Sequence, residues 1–162
     1  MSPLIAPRPF TIRAATADDL PAVLALLAAA NLAPNAVEAQ FGPQFAVATD
    51  DATQDVIGVA GIEVYRDVAS DIGLLRSAAV APDQQGRGIG SALAVERLAW
   101  AEREHLSAIF LLTESATGFW SRFGFMKMAR DAAPIALQES HEWKQGCPAS
   151  AVAMALKLKR FR

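Results

Sequence analysis

The segment best suited to chemistry is Val80-Ala-Pro-Asp-Gln-Gln-Gly-Arg-Gly-Ile-Gly-Ser91. A strand ends, a proline prevents its continuation, and Gly86, Gly88 and Gly90 stand at alternate positions before an apolar helix. Glycine turns the chain tightly and brings its N–H groups up to an anion with no Cβ in the way. The helix adds the unpaired amides of its first turn and the positive end of its dipole. This combination suits a diphosphate, and Arg87 is placed to add a charged contact to it. A Walker loop would need a lysine before its Ser or Thr, and none stands there. The dinucleotide fingerprint has another glycine spacing and opens a βαβ unit, which the upstream pattern does not supply.

Arg76 lies near the centre of an otherwise apolar stretch, 73–80. Arginine is rarely buried without a purpose, and its planar fork fits a carboxylate or phosphonate-like group. The competing role is an ion pair with Glu63 on the neighbouring strand.

The elements that must hold these residues follow from periodicity. Residues 10–13 read as a strand. Thr16, with Asp19 three positions on and Pro21 in the first turn, starts a helix whose apolar positions are Leu20, Val23, Leu24 and Leu27. Asn31-Leu-Ala-Pro-Asn35 stops it, and 37–41 suggests a second short helix. Strands at 44–48, 56–65 and 73–80, joined by short turns, form an antiparallel meander. A helix from the glycine loop to Glu104, a buried strand at 108–112, a helix at 117–122 and a strand at 125–128 come next. A helical stretch at 134–140, a last strand at 151–158 and a basic tail (Lys157, Lys159, Arg160, Arg162) complete the chain.

At 162 residues the chain is expected to form a single domain, 1–162. Fifteen basic and seventeen acidic residues give a net charge of -2, so a nucleic-acid partner is not expected. Cys147 is the only cysteine, and His105 and His141 the only histidines. That excludes an intrachain disulfide and argues against a metal cage; both histidines read as structural or exposed, and Cys147-Pro148 as a buried turn. The apolar run 20–30 is too short to span a bilayer, and the proline-containing start does not read as a signal peptide. No membrane association and a cytoplasmic location are the expectation.

Gln85-Gly-Arg-Gly-Ile-Gly90, after Leu75-Arg-Ser-Ala-Ala-Val80, resembles the acyl-CoA signature of the GNAT N-acetyltransferases. Trp120-Ser-Arg-Phe-Gly-Phe125 resembles their later Tyr-x-x-x-Gly-Phe element, and the order of elements follows that superfamily. The resemblance implies an α/β (α+β) fold: a mixed, mostly antiparallel twisted sheet of about six to seven strands. That sheet is splayed at its fourth and fifth strands and flanked by helices. It also implies acetyl-CoA as cosubstrate, with no metal. The backbone of Ala78, Ala79 and Val80 would pair with the pantetheine arm, as an added strand does. Gln85, Gly86, Arg87, Gly88, Ile89, Gly90 and Ser91 would hold the diphosphate, and a backbone N–H of the strand would polarise the thioester carbonyl.

The chain departs from that pattern in one respect. Where many members place a tyrosine to protonate the leaving thiolate, it has Trp120, whose indole is a donor but no useful acid. Trp120 reads instead as packing beside the cofactor. Glu63, in an apolar strand, and Glu114, after strand 108–112, are the candidate bases.

For the acceptor, Leu111-Leu-Thr-Glu-Ser-Ala-Thr-Gly-Phe-Trp-Ser-Arg-Phe-Gly-Phe125 resembles the corresponding segment of N-acetylglutamate synthases. Gly73-Leu-Leu-Arg-Ser77, Leu111-Leu-Thr113, Arg130-Asp-Ala-Ala-Pro134 and Cys147-Pro-Ala-Ser-Ala151 are similar to bacterial acetyltransferases associated with arsenic resistance. By that analogy the acceptor is a small primary amine, the α-amine of an amino acid or of a glutamate-like toxin, with Arg76 and Thr113 binding its anionic groups. A single cysteine argues against direct arsenite binding. Residues 131–150 would cover the acceptor side, with Ser140, His141 and Trp143 as lid residues. The competing activities are acetylation of protein or peptide N-termini and non-catalytic acyl-CoA binding; a homodimer is compatible with all of them.

Overall fold

The computed structural model describes residues 9–32, 34, 36–146 and 149–158. Its strands are β1 (Phe10–Ala14), β2 (Phe45–Asp50), β3 (Val56–Arg66), β4 (Asp71–Val80), β5 (Ala108–Thr113), β6 (Met126–Met128) and β7 (Val152–Lys157). They form one seven-stranded sheet in the order β1-β2-β3-β4-β5-β7-β6. Every neighbouring pair is antiparallel except β4 and β5. This is the mixed, mostly antiparallel α/β (α+β) sheet expected from the sequence, with β7 inserted between β5 and β6.

Helices α1 (Leu20–Ala29), α2 (Ile89–Arg103), α3 (Thr117–Ser121) and α4 (Ile135–Gln138) pack on its two faces. Side chains alternate across a strand, and β2 shows the result. Phe45 and Val47 pack with Val23, Leu26 and Leu27 of α1, whereas Ala46 and Ala48 pack with Ile89 and Leu93 of α2. All of β2 is therefore buried. Further along, α2 and α3 cover Ile62, Leu75, Ile109 and Leu111. On the other face, Leu137 of α4 and Trp143 cover Ile72, Leu74 and Phe110.

The start of α1 follows its sequence signature. The carboxylate of Asp19 accepts the backbone N–H of Thr16 at 2.8 Å, one half of a capping box. It also receives both terminal nitrogens of Arg13, at 2.7 and 2.8 Å. The Arg13 hydrogen bond is the main cause that holds the Asp19 carboxyl down at about 2.

Several expected elements are shorter in the structure, among them α3, which ends at Ser121, and β7, which runs only over Val152–Lys157. Residues 37–41 make only one 3-10 turn, Val37–Ala39. Beyond it the amide of Gln40 pairs with the backbone of Val64 and Phe41 stacks on Phe45, ring centroids 5.2 Å apart. The stretch 134–140 is helical only over Ile135–Gln138, because Pro134 is extended. Residue 125 is not part of β6; Phe125 is instead buried in the core beside Trp120. Cys147 and Pro148, and Lys159, Arg160 and Arg162 of the basic tail, lie outside the described residues. Among the described residues no helix is long and apolar enough to cross a membrane.

A Cβ added at Gly61 would lie 2.2–2.5 Å from ring atoms of Phe45. Gly61→Ala is therefore expected to lower unfolding free energy by about 1–3 kcal/mol, read as a lower urea midpoint. Asp19 titrates below its ordinary value in the folded state, so its contribution is present above pH about 4 and is lost as pH falls towards about 2. Asp19→Asn is expected to remove that part of the acid-induced loss of stability.

Candidate active site

β4 and β5 pair at only two positions, Gly73 with Ile109 and Leu74 with Phe110. Beyond them β5 stays with β7 through to Thr113, and β4 stays with β3 to Val80. The register between β3 and β4 shifts between Val59 and Gly61, and Ser77 opposite takes φ 57°. Such a bulge bends and twists its strand, carrying β4 away from β5. From Leu75 onward the β5-facing edge of β4 is outside the ladder. Its backbone N–H and C=O groups along that edge are available to a ligand that adds as a strand.

A cavity of about 940 Å³ fills the gap. Leu75 to Val80 wall one side and Leu111 to Ala116 the other. One mouth holds Gln84, Gln85, Gly86, Gly88, Gly90 and Ser91, with Phe119 and Trp120 nearby; the other holds Ala30, Asn31 and Leu32 after α1, with Glu142 opposite. The cavity thus passes through the sheet, from the entrance of α2 on one face to the α1 side of the other.

The loop at the first mouth is built as its glycines require. Gly86 and Gly88 have φ +85° and +80°, a left-handed backbone, and nothing lies within 4 Å of an added Cβ at either. The amide of Ala92 bonds the carbonyl of Gly88 at 3.0 Å. The amides of Ile89, Gly90 and Ser91 therefore precede the first intrahelical bond of α2, and they stand at the mouth. Ile89 is buried and, with Leu93, anchors this end of the helix against Ala46 and Ala48.

The Arg87 side chain is held by protein groups. Its guanidinium turns from the cavity to Asp50 at the end of β2 (3.3 Å) and to Gln84 (2.7 Å), over the Phe10 ring. Arg87 buttresses the loop against β1 and β2, and backbone amides are left to meet an anion.

The second mouth centres on Arg76, whose side chain is 2% exposed. Glu63, Tyr65, Leu74 and Arg76 share one face, because side chains two apart on a strand point the same way. The Nη1 group donates to Glu63 Oε2 at 3.3 Å, Nη2 to the carbonyl of Pro34 at 3.2 Å, and Nε to Ser77 Oγ at 3.1 Å. Glu142 Oε2 lies 3.6 Å from Nη2. The expected Glu63–Arg76 pair is thus present, and the expectation that Glu63 works as a base meets an obstacle. Glu63 is buried, does not line the cavity, and has both oxygens engaged: Oε1 accepts the Tyr65 hydroxyl at 2.8 Å and Oε2 faces Arg76. Burial, and then the hydrogen bond to Glu63, push the Tyr65 hydroxyl well above its ordinary range. Tyr65, which is also absent from the cavity wall, is no acid for a leaving group.

Thr113 and Glu114 do line the cavity, at the end of β5; Thr113 Oγ1 already accepts the amide of Ala116 at 3.0 Å. Trp120 is buried among Phe119, Phe123 and Phe125 and reaches the cavity edge. His105 and His141 are exposed. Ser140 and Trp143 are buried. The Trp143 indole donates to the carbonyl of Arg130 at 2.9 Å and ties its turn to that residue. Sequence reasoning missed Glu142, which stands between two of the expected lid residues and is the one that faces the cavity. Nothing local in the sequence marks its direction.

A family model for the acetyltransferase (GNAT) domain matches residues 42–127. No curated protein matches the chain. Among solved structures it is similar to N-acetylglutamate synthase from Neisseria gonorrhoeae, complexed with coenzyme A and N-acetyl-glutamate. Identity is 20% and the TM-score 0.75, over 93% of this chain and 35% of that one; this chain thus spans little more than a third of the synthase. It is also similar to Rv2747 from Mycobacterium tuberculosis in complex with CoA, with 26% identity and a TM-score of 0.70 over 92% and 99% of the two chains. A third is the GNAT family N-acetyltransferase YhbS from Escherichia coli in complex with CoA, with 24% identity and a TM-score of 0.65 over 97% and 85%.

The loop geometry separates two of its glycines. Gly88→Ala places a side chain at φ +80° and is expected to cost about 1–2 kcal/mol. At Gly90, φ is not positive and an added Cβ would rest 3.7 Å from Val80 and 3.9 Å from Phe119, ordinary contact. Gly90→Ala is expected to leave stability unchanged or raise it by up to about 1 kcal/mol. Urea unfolding of the two variants beside the parent checks this.

Proposed function

Since the chain belongs to the acetyltransferase (GNAT) domain family, we propose that it transfers an acetyl group from acetyl-CoA to the primary amine of a small molecule, the α-amine of an amino acid. The observation that carries this reading is the gap between β4 and β5, which joins an amide-rich helix entrance to a charged second mouth. The residues present fit the cosubstrate. The freed edge of β4 offers main-chain groups at Ala78, Ala79 and Val80 to a pantetheine arm. The loop leaves open space above Gly86 and Gly88, where a diphosphate would meet the amides from Gly86 to Ser91. Bound there, acetyl-CoA supplies the acetyl group as an activated thioester.

The protein's part is positioning and electrostatics. An N–H on the freed edge of β4 would polarise the thioester carbonyl. An amine entering by the second mouth comes up against the same edge from the opposite face. Attack needs the neutral amine, so a proton must leave the ammonium. Glu114 is exposed and on the cavity wall, and we assign it the proton, directly or through water. Glu63 serves behind the wall, holding Arg76. The indole of Trp120 cannot protonate the leaving sulfur, so water does.

The placement of Glu142 at the second mouth, on a turn anchored by Trp143, favours a small acceptor over a peptide N-terminus. The resemblance to arsenic-resistance acetyltransferases brings glutamate-like toxins into the set of acceptors worth testing.

Thiol release from acetyl-CoA, measured across amino acids, arsinothricin, phosphinothricin and short peptides, is expected with amino-acid amines and weak or absent with peptides. Release only with peptides would reassign the acceptor; tight CoA binding with no release for any amine would make the chain a binding module. Gly88→Asp adds bulk and negative charge where the diphosphate is placed. It is expected to weaken CoA binding by at least about 100-fold, measured by calorimetry; unchanged affinity would refute the cradle.

A further inference from the structure

Ser77 lines the cavity on the freed part of β4, between Arg76 and Ala78 in the chain. Its Oγ accepts the Nε–H of Arg76 at 3.1 Å. A guanidinium nitrogen is a donor only, so this bond uses a lone pair of the hydroxyl and leaves its proton uncommitted. Among the described residues no group accepts that proton. Donation from a buried cation also polarises the O–H bond and strengthens it as a donor. The backbone does not account for a serine here. Ser77 holds φ 57°, a left-handed conformation that glycine adopts freely and a residue with a Cβ does not. Strain of this kind is kept where the side chain has a task. Position along β4 says what the proton would meet. From the entrance of α2 the cavity wall runs back through Val80, Ala79 and Ala78 to Ser77. A thioester carrier with its diphosphate at the glycine loop and its arm along that edge brings its acyl end to Ser77, where the acceptor mouth begins with Arg76.

We propose that the Ser77 hydroxyl is a catalytic hydrogen-bond donor, which holds the acetyl carbonyl oxygen during transfer alongside the main-chain N–H of β4. The inference rests on the acetyl-transfer reading above and deepens it. The amine, deprotonated by Glu114, uses its lone pair to form the C–N bond, and the π pair of the carbonyl moves onto oxygen. The Ser77 O–H meets the charge that develops there. The pair then returns to re-form C=O as the C–S bond breaks and sulfur leaves with its electrons. The second proton of the amine reaches that sulfur through water. Ser77 keeps its own proton throughout, because a serine hydroxyl is a weaker acid than a thiol and is no proton source for it. Arg76 acts through Ser77, as the cation that orients and polarises the hydroxyl.

The test uses the full chain and two variants. Ser77→Ala removes the oxygen and keeps the Cβ, whereas Ser77→Gly removes both and suits φ 57°, so one of them is free of backbone strain. CoA affinity equal to the parent's, measured by calorimetry, reports an intact fold and loop. The first readout is the infrared stretch of bound acetyl-CoA labelled with carbon-13 at the thioester carbonyl. In the parent the band is expected to lie below its position in water, and in either variant to move back up. The second is thiol release with the best amino-acid acceptor. The kcat is expected to fall about 100-fold, with the KM for the acceptor within about threefold of the parent's. A band that does not move, a kcat loss below about tenfold, or a loss confined to the acceptor KM would each overturn the proposal; the last would make Ser77 only a support for Arg76. Release by the parent with a band unmoved in the variants overturns the role of Ser77 alone. A shifted band with no release for any amine overturns acetyl transfer and leaves Ser77 as a carbonyl-binding group, and failure to bind acetyl-CoA overturns both.

Discussion

Two strands that begin side by side and then part are the constraint on which the site depends. β4 is committed to β3 along almost its whole length, and β5 to β7. Only Gly73–Ile109 and Leu74–Phe110 join the two halves of the sheet directly. A sheet with a continuous ladder there would have had no cavity. The left-handed backbone of Ser77 and the register shift opposite it leave main-chain polar groups at the centre of a protein unpaired within the sheet. Buried backbone groups without partners are costly, so this opening is tolerable because water or a ligand enters it. The property that weakens the sheet locally is what opens a cavity through it.

The rest of the architecture stabilises that opening. α2 and α3 pack Leu75, Leu111 and Trp120 into one core on one face, while α4 and the turn carrying Trp143 pack Leu74 and Phe110 on the other. Apolar clusters on both faces thus join the two halves of the splay around the gap. Arg87 and Arg97 show how charged side chains serve the same end. Arg87 ties the glycine loop to Asp50. Arg97, buried within α2, donates to the carbonyl of Gln44 at 2.6 Å and stacks on Trp100. Both fix α2 relative to β2, and so fix the amides at its entrance. Neither reaches the cavity wall.

The division of labour between the two mouths has a chemical logic. At the α2 entrance the ligand-facing groups are main-chain amides and glycines, which favour an anion and tolerate sequence change around them. At the far mouth they are charged side chains held by one another, Arg76 with Glu63 and Glu142. A cosubstrate common to a whole family is naturally met by backbone, and a particular acceptor by side chains. On the function proposed above, the first mouth takes the cosubstrate and the second the acceptor.

Local chemistry made much of this legible in advance. Alternation and helical spacing marked most strands and the main helices, and Thr16 with Asp19 marked the start of α1 because a capping box is satisfied within four residues. The glycine loop was readable because its left-handed turns at Gly86 and Gly88 are backbone conformations that its own residues permit. What the sequence alone could not decide was direction. Arg87 sits in the middle of the anion loop and yet points to Asp50; Glu63 sits in a strand beside the site and yet points behind its wall. Glu142 was invisible as a site residue, since only the packing of Trp143 brings its turn against β4. The insertion of β7 between β5 and β6 was equally hidden. Short-range geometry is encoded by neighbouring residues. Which face a charged side chain meets is set by contacts between segments far apart in the chain, and those exist only once the sheet has closed around them.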